Sequence, residues 1–279
     1  MGFETLISVA DVAALARSRL RIVDCRAALG DPDAGRRAFD AGHIPGAVHA
    51  DLERTLSGPV VPGVTGRHPL PQRTVLADWF AANGIGNETQ VVAYDADNGA
   101  FAARLWWLAR WLGHRAVAVL DGGIAAWQSA GAPIERAGVA PPAARFEIRP
   151  ALTRTIDADA ILRRSANVRL VDARARPRYR GDEEPIDRVA GHIPGAVNLP
   201  FDGNLRDGRF AAPAALARRF ASVCEGDAEV VCYCGSGVTA CHDLLALRHA
   251  GLPEGILYAG SWSEWIQDPS RPIARGDAP

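Results

Sequence analysis

Short apolar runs alternate with amphipathic stretches along the chain. In the first half, residues 22–24, 91–94 and 117–120 form apolar runs of strand length. Residues 12–19, 75–83 and 102–112 repeat apolar side chains at helix spacing. Strands that alternate with helices are typical of α/β proteins, so we predict a mainly parallel sheet flanked by helices.

The same order of segments occurs twice. Residues 23–26 match 171–174, 42–48 match 191–197, 91–95 match 230–234, and 120–123 with Trp127 match 258–261 with Trp265. A repeat that spans the whole chain predicts two tandem domains. We place the first domain at 1–137, an Ala/Pro-rich linker at 138–154 and the second domain at 155–279, with its first helix at 157–165.

Residues 229–251 combine a strand, a glycine-rich loop and a helix. An apolar run ends at Tyr233, the loop follows, and helix periodicity extends over 238–250. Cys234 therefore lies where a helix N-terminus, which attracts anions, favours the nucleophilic thiolate. Gly235 and Gly237 let backbone N–H groups turn inward as an anion nest. The alternative is that Cys234 is a small buried residue at a strand end; the flanking loop and helix favour catalysis.

Comparing the two halves distinguishes residues that belong to the shared fold from residues with a chemical role. The first half has Asp95 at the position of Cys234, so we expect no cysteine chemistry there. It also carries a Gly/Pro-rich insertion within 52–71, which we expect to be a surface loop that reaches over the neighbouring domain's site. His43 in the first half corresponds to His192 in the second half. Since this histidine is present both with and without the thiol, we expect it to be structural.

Composition excludes several classes of protein. The formal net charge is -1, from 31 basic and 32 acidic residues, and no basic stripe indicates nucleic-acid binding. We expect no signal peptide, no membrane span and a cytoplasmic location. Five sparse cysteines do not form a disulfide framework, and the pair at 232 and 234 has too few partners for a metal site.

These features together resemble the two-domain rhodanese-like sulfurtransferases over nearly the whole chain. The resemblance rests on the duplicated Asp-x-Arg and Gly-His-Ile-Pro-Gly segments, the six-residue loop 234–239 and the segment 258–265. Within the family, the loop is similar to that of the members that use 3-mercaptopyruvate. Members specific for thiosulfate carry cationic residues at the positions of Gly235 and Ser236, which suits a small dianion better than a monoanionic 2-keto acid.

The resemblance implies roles for residues outside the loop. It aligns Arg178 and Arg188 with arginines that bind the donor's carboxylate. It also aligns Asp51 and His68 with an acidic residue and a histidine that would form a Ser–His–Asp relay with Ser236.

The resemblance implies sulfur transfer through a Cys234 persulfide, without a metal or an organic cofactor. The backbone N–H groups of 235–239, which include Val238 and Thr239, would hold the negative charge of the terminal sulfur. A small-molecule donor and a thiol acceptor, such as thioredoxin, are the expected partners.

Three other functions stay open. The first is thiosulfate:cyanide sulfurtransferase, with the same chemistry and another donor. The second is arsenate reductase or phosphatase; such loops are typically one residue longer and end in an arginine, where this chain has Thr239. The third is a sulfur carrier that is loaded but does not turn over.

Overall fold

A computed structural model describes residues 2–138 and 140–279, apart from the side chain of Arg17. Val139 of the predicted linker lies outside the described residues. The described chain divides into two compact units. The first unit contains the residues up to Gly58, Leu70–Leu152 and Asp207–Phe210, and the second contains Pro59–Pro69, Thr153–Arg206 and Ala211–Pro279.

The elements of the first half follow one another as strands and helices. They are β1 (Leu6–Ile7), α1 (Val9–Ala14), β2 (Leu20–Asp24), α2 (Ala34–Ala41), β3 (Val48–His49), α3 (Arg73–Ala82), β4 (Gln90–Tyr94), α4 (Ala100–Trp111), β5 (Val117–Leu120) and α5 (Gly123–Ser129).

The second half repeats this alternation. Its elements are β6 (Arg154–Thr155), α6 (Ala158–Leu162), β7 (Val168–Asp172), α7 (Arg176–Arg180), β8 (Ala196–Asn198), β9 (Leu205–Arg206), β10 (Arg209–Phe210), α8 (Pro213–Phe220), β11 (Glu229–Tyr233), α9 (Ala240–His249), β12 (Ile256–Leu257) and α10 (Ser261–Trp265). The short 3-10 turns are Arg17–Arg19, Phe201–Asn204 and Ala221–Val223.

Each unit contains a five-stranded sheet in which every pairing is parallel. The strand orders are β1-β5-β4-β2-β3 and β6-β12-β11-β7-β8. The two orders correspond strand for strand, as the repeat predicts. β11 is the central strand of the second sheet, and its apolar residues 230–233 are buried. In sheets of this kind ligands bind at the carboxyl ends of the strands, which is where Cys234 lies.

Some predicted elements differ from those observed. The helix predicted at 12–19 begins earlier, at Val9, because Ser8 caps Asp11 N–H, and it gives way to the turn Arg17–Arg19. The helix predicted at 238–250 begins at Ala240, so the loop extends through residue 239. The edge strands β1, β3 and β6 have two residues each, too few for a periodic pattern to predict.

The repeated Asp-x-Arg segment is a buried ion pair at a strand end. Arg174 Nη2 lies 2.6 Å from Asp172 Oδ2 and donates to the carbonyl of Gly191 at 2.7 Å. Arg26 makes the same pair with Asp24 at 2.5 Å in the first unit. Removing one partner of such a pair costs about 3–5 kcal/mol because the other charge stays buried.

His43 and His192 are buried and packed against aromatic rings, as expected of structural residues. His192 stacks on Tyr179 with ring centroids 3.8 Å apart, and its Nδ1 lies 2.8 Å from the Tyr179 carbonyl oxygen. His43 stacks on Phe39 at 3.8 Å, with Nδ1 2.8 Å from the Phe39 carbonyl oxygen. Both histidines are buried and fix the turn that follows.

The segment Pro59–Pro69 clusters with the second unit, although it was predicted as an insertion in the first domain. The backbone N–H of Arg67 donates to Ser263 Oγ at 3.1 Å. A Cβ atom on Gly66 would lie 2.5 Å from the carbonyl oxygen of Gly260, so only glycine fits this approach. The contiguous boundaries 1–137, 138–154 and 155–279 stay a prediction. None of the helices in the described ranges is both long and apolar enough to cross a bilayer.

Candidate active site

Cys234 begins the loop that joins β11 to α9. This loop, residues 234–239, is called the thiol loop below. The thiol is buried, with 2% of the residue exposed. Gly237 N–H donates to Cys234 Sγ at 3.1 Å, so a backbone amide already points at the atom on which negative charge would develop.

Gly237 is required for this loop shape on two grounds. Its φ is +78°, which side chains with a Cβ rarely adopt. A Cβ atom there would also lie 2.3 Å from the carbonyl oxygen of Ala259. The thiol loop therefore depends on glycine at 237 for both its conformation and its packing.

Backbone bonds from α10 fix the first two residues of the thiol loop. Trp262 N–H donates to the Cys234 carbonyl at 3.0 Å, and Ser263 N–H donates to the Gly235 carbonyl at 2.9 Å. Cys241, in the first turn of α9, donates its S–H to the Gly237 carbonyl at 3.3 Å. The loop is thus held from both neighbouring helices.

Ser261 fixes the amide of the thiol-bearing residue. Its φ is +55°, a left-handed conformation that costs a non-glycine residue about 1–2 kcal/mol. Its Oγ accepts the Cys234 N–H at 3.1 Å and donates to the Tyr258 carbonyl at 2.9 Å. Sequence reasoning did not single out this residue, because a serine in a short helix start carries no distinctive pattern.

His68 and Ser236 meet in the second unit. Nδ1 of His68 and Oγ of Ser236 are 2.7 Å apart, and the residues are 3% and 6% exposed. In either tautomer of the imidazole one proton lies between these atoms. The pair can therefore hold or pass a proton two residues from the thiol, and the relay that the family resemblance implies stays a prediction.

Two guanidinium groups approach the thiol loop at Gly235. A Cβ atom on Gly235 would lie 2.8 Å from Arg67 Nη2 and 3.5 Å from Nη1 and Nη2 of Arg178. The family resemblance implied a role for Arg178, and Arg67 was not singled out. The signal for Arg67 was its position directly before His68, in the same Gly/Pro-rich insertion.

Arg178 is oriented by a carboxylate. Its Nε and Nη2 donate to Glu184 Oε1 at 3.0 and 2.8 Å. Nε also lies 3.2 Å from Glu184 Oε2. These bonds fix the guanidinium plane, and Nη1 does not take part in them. The side chain of Arg178 is 16% exposed and that of Glu184 is 4% exposed.

Arg188 and Asp51 have other neighbours. Arg188 is exposed, and its Nη2 donates to the carbonyl of Ile266. Asp51 belongs to the first unit, where Oδ1 accepts the N–H groups of Glu53 and Arg54 at 2.9 and 2.8 Å. The predicted roles of both residues in donor binding and proton transfer stay predictions.

The matching loop of the first unit is filled by its own carboxylate. Asp95 is 1% exposed. Its Oδ1 accepts the Gly99 N–H at 2.9 Å, and its Oδ2 accepts those of Phe101 and Ala102 at 2.9 and 3.1 Å. Burial raises the pKa of Asp95, although these three bonds oppose the shift. The side chain thus occupies the anion position at the start of α4.

The other cysteines are less suited to nucleophilic chemistry. Burial raises the pKa of the Cys25 and Cys232 thiols well above the ordinary value, and it also raises that of Cys224. Cys25, Cys232 and Cys241 are buried, where a free cysteine behaves as a small apolar residue of the core.

Comparison with known proteins supports the resemblance. A family model for the rhodanese-like domain matches residues 8–130 and 157–268, one match in each repeat. The predicted fold class, two tandem rhodanese-like domains with parallel sheets flanked by helices, is therefore confirmed.

Individual relatives cover nearly the whole chain. A probable 3-mercaptopyruvate sulfurtransferase of Pseudomonas aeruginosa is 50% identical over 284 residues, which is 99% of this chain and 100% of that protein. A putative thiosulfate sulfurtransferase of Mycobacterium tuberculosis is 40% identical over 286 residues, or 99% and 98% of the two chains. The structure of 3-mercaptopyruvate sulfurtransferase from Leishmania major aligns with a TM-score of 0.82 and 33% identity, over 94% of this chain and 74% of that one.

Proposed function

The chain belongs to the rhodanese-like sulfurtransferases, and on this basis we propose that it transfers sulfur from 3-mercaptopyruvate through Cys234 to a thiophilic acceptor. The observation that carries the proposal is the pair of guanidinium groups of Arg67 and Arg178 at Gly235, next to the buried thiol. The donor named for the relative from Pseudomonas aeruginosa supports the same choice.

Arg67 and Arg178 bind the carboxylate and keto oxygen of the donor. Guanidinium groups present several N–H donors in a plane, which matches the adjacent oxygens of a 2-keto acid. Gly235 leaves the space for them, since a side chain there would collide with Arg67 Nη2. The donor's thiol then points to Cys234.

The first half-reaction transfers one sulfur atom. The Cys234 thiolate attacks the donor's sulfur, a sulfur–sulfur bond forms, and the carbon–sulfur bond breaks with its electron pair on carbon. Pyruvate leaves as its enolate, and the transferred sulfur stays on Cys234 as a persulfide. The amide of Gly237 and the start of α9 stabilise the negative charge on sulfur.

The enolate needs one proton to become pyruvate. Ser236 and His68 are suited to supply it, because Ser236 belongs to the thiol loop and its Oγ lies 2.7 Å from His68 Nδ1. The family resemblance also implies a part in this relay for Asp51, which belongs to the first unit, and that part stays a prediction.

The second half-reaction passes the outer sulfur to an acceptor and regenerates the Cys234 thiol. Cyanide accepts it as thiocyanate in an assay. A dithiol such as thioredoxin accepts it on one cysteine, and its second cysteine then releases hydrogen sulfide as the disulfide forms.

Thiosulfate is the alternative donor. The relative from Mycobacterium tuberculosis is named for it, and paired arginines also suit a dianion. Thiosulfate would leave sulfite after the same attack by Cys234.

Mass spectrometry tests the covalent step. After incubation with 3-mercaptopyruvate and removal of the donor, the wild-type protein is expected to gain one sulfur atom on Cys234. Cys234→Ser should gain none, while the matched variant Cys224→Ser should gain sulfur as the wild type does. Sulfur retained by Cys234→Ser would overturn the assignment.

Steady-state kinetics tests the donor. We expect kcat/KM to be larger for 3-mercaptopyruvate than for thiosulfate with cyanide as the acceptor. A clear preference for thiosulfate would replace the proposed donor by the alternative.

A further inference from the structure

One buried carboxylate joins the two arginines at the thiol loop. Asp187 Oδ2 accepts Arg178 Nη2 at 3.0 Å, and Asp187 Oδ1 accepts Arg67 Nη1. The side chain of Asp187 is 4% exposed. Since Arg67 and Arg178 come from distant parts of the chain, Asp187 determines how far apart their guanidinium groups lie.

The arginines and their acidic partners balance in charge. Glu184 pairs with Arg178 at 2.8 Å, and Asp187 pairs with both Arg67 and Arg178. Two cations therefore face two anions before any donor enters. Arg174, which lies 3.4 Å from Glu184, is itself paired with the buried Asp172, so it adds no net charge.

We propose that Asp187 is a specificity-determining residue that favours a monoanionic 2-keto acid over a dianionic donor. The proposal rests on the proposed function, because it concerns the same donor site. Asp187 acts through Arg67 and Arg178, so it is a positioning residue and not a catalytic one.

The physical reason is the different charge of the two donors. Removing one negative charge near the site improves the Coulomb energy of a dianion about twice as much as that of a monoanion. Asp187 is little exposed, so salt screens this interaction less than it screens a surface charge. With Asp187 ionised, the second charge of thiosulfate adds little binding energy at this site. The shape of the 2-keto acid then determines which donor is preferred.

The test compares kcat/KM for thiosulfate and for 3-mercaptopyruvate in matched variants. Asp187→Asn removes the charge and keeps the side-chain shape. Asp187→Glu keeps the charge. Glu183→Gln removes an equal charge from an exposed residue of the same segment and serves as the control.

We expect Asp187→Asn to raise the ratio of thiosulfate to 3-mercaptopyruvate kcat/KM by about fivefold or more. Asp187→Glu and Glu183→Gln should keep the ratio within about twofold of wild type. If the ratio in folded Asp187→Asn equals that of wild type, or if Asp187→Glu shifts it as much, the proposal is wrong. If Asp187→Asn does not fold, Glu184→Gln replaces it and should shift the ratio in the same direction.

The experiments distinguish a failure of the proposed role of Asp187 from a failure of the proposed function. If wild-type Cys234 takes no sulfur from 3-mercaptopyruvate, the proposed donor fails whatever the variants do. If Cys234 takes the sulfur and the ratio is indifferent to Asp187, the donor site stands and the role of Asp187 fails.

Discussion

Ser261 and Gly123 occupy the same backbone position in the two repeats, with φ of +55° and +56°. Glycine adopts this conformation without strain, whereas serine does not. The second unit therefore keeps backbone strain at Ser261, whose hydroxyl accepts a hydrogen bond from the Cys234 N–H. Strain that persists beside a reactive group indicates that the side chain contributes to the site.

Replacing Ser261 separates strain from hydrogen bonding. Ser261→Gly removes the hydroxyl and relieves the strain, so we expect stability within about 1 kcal/mol of wild type. Ser261→Ala removes the hydroxyl and keeps the strain, so we expect a loss of about 1–3 kcal/mol in the free energy of unfolding. Both variants should lose about tenfold in kcat/KM as the Cys234 amide becomes free to move. Unchanged kcat/KM in Ser261→Gly would show that the hydroxyl has no role in positioning.

The two glycines of the thiol loop should respond differently to alanine. Gly237→Ala creates both a left-handed alanine and an overlap with Ala259, so we expect at least about 2 kcal/mol of destabilisation and loss of persulfide formation. Gly226→Ala has a similar φ of +61° and no neighbour within 4 Å, which isolates the backbone strain.

Gly235→Ala meets the flexible end of Arg67 instead. We expect nearly unchanged thermal stability and a KM for 3-mercaptopyruvate raised by about tenfold, because Arg67 must shift away from the donor. Denaturation curves and steady-state kinetics measure the two effects. A change in kcat with constant KM would contradict a role of this space in donor binding.

The Ser236–His68 pair should matter more for one donor than for the other. Transfer from 3-mercaptopyruvate leaves a carbanion that needs a proton, whereas transfer from thiosulfate leaves sulfite. We expect Ser236→Ala and His68→Gln to lower kcat with 3-mercaptopyruvate by about 10²-fold. With thiosulfate the loss should be much smaller, and the exposed Ser222→Ala should change neither. Equal losses with both donors would point to a structural role for the pair.

A buried acid in α9 predicts a pH dependence of stability. Asp243 is 0% exposed and accepts a hydrogen bond from Asn204 at 2.6 Å. Burial raises the pKa of Asp243 to about 7, against about 3.9 in an unfolded chain. Between these values the folded state binds more protons, so stability falls as the pH rises through this window.

From pH 5 to pH 8 this group should cost the wild type about 2–3 kcal/mol in the free energy of unfolding. Asp243→Asn should lack that part of the decline, and the exposed Asp227→Asn should retain it. Denaturant titrations at both pH values measure the slopes. Equal slopes in Asp243→Asn and wild type would refute the assignment.

The sequence was sufficient for the repeat, the central strands and the thiol loop. Strands such as β11 carry continuous apolar runs. Asp95, at the position equivalent to Cys234, distinguished residues of the shared fold from residues of the thiol site. His68 was identified through family resemblance, and its contact with Ser236 is found in the structure.

Other features depend on tertiary contacts that no local pattern records. Helix α2 has eight residues, of which only Phe39 carries a large apolar side chain. The two-residue edge strands exist through pairing with β5, β2 and β12. The side chain of Arg67 is positioned by its ion pair with Asp187, which lies 120 positions away in the sequence. Arg188 fits the family pattern in sequence, yet its guanidinium donates to Ile266, because spacing does not determine where a long flexible side chain ends.

Asp95 places a carboxyl group of the chain itself at the position where the second repeat has the Cys234 thiol. A negative group that is covalently part of the chain cannot be exchanged for a substrate, so this copy is permanently self-occupied. It shows at which position the fold accommodates a buried carboxyl group, and that three backbone amides donate hydrogen bonds to it. In the proposed mechanism the second repeat differs because its negative charge is carried by a sulfur atom that the donor delivers and the acceptor removes.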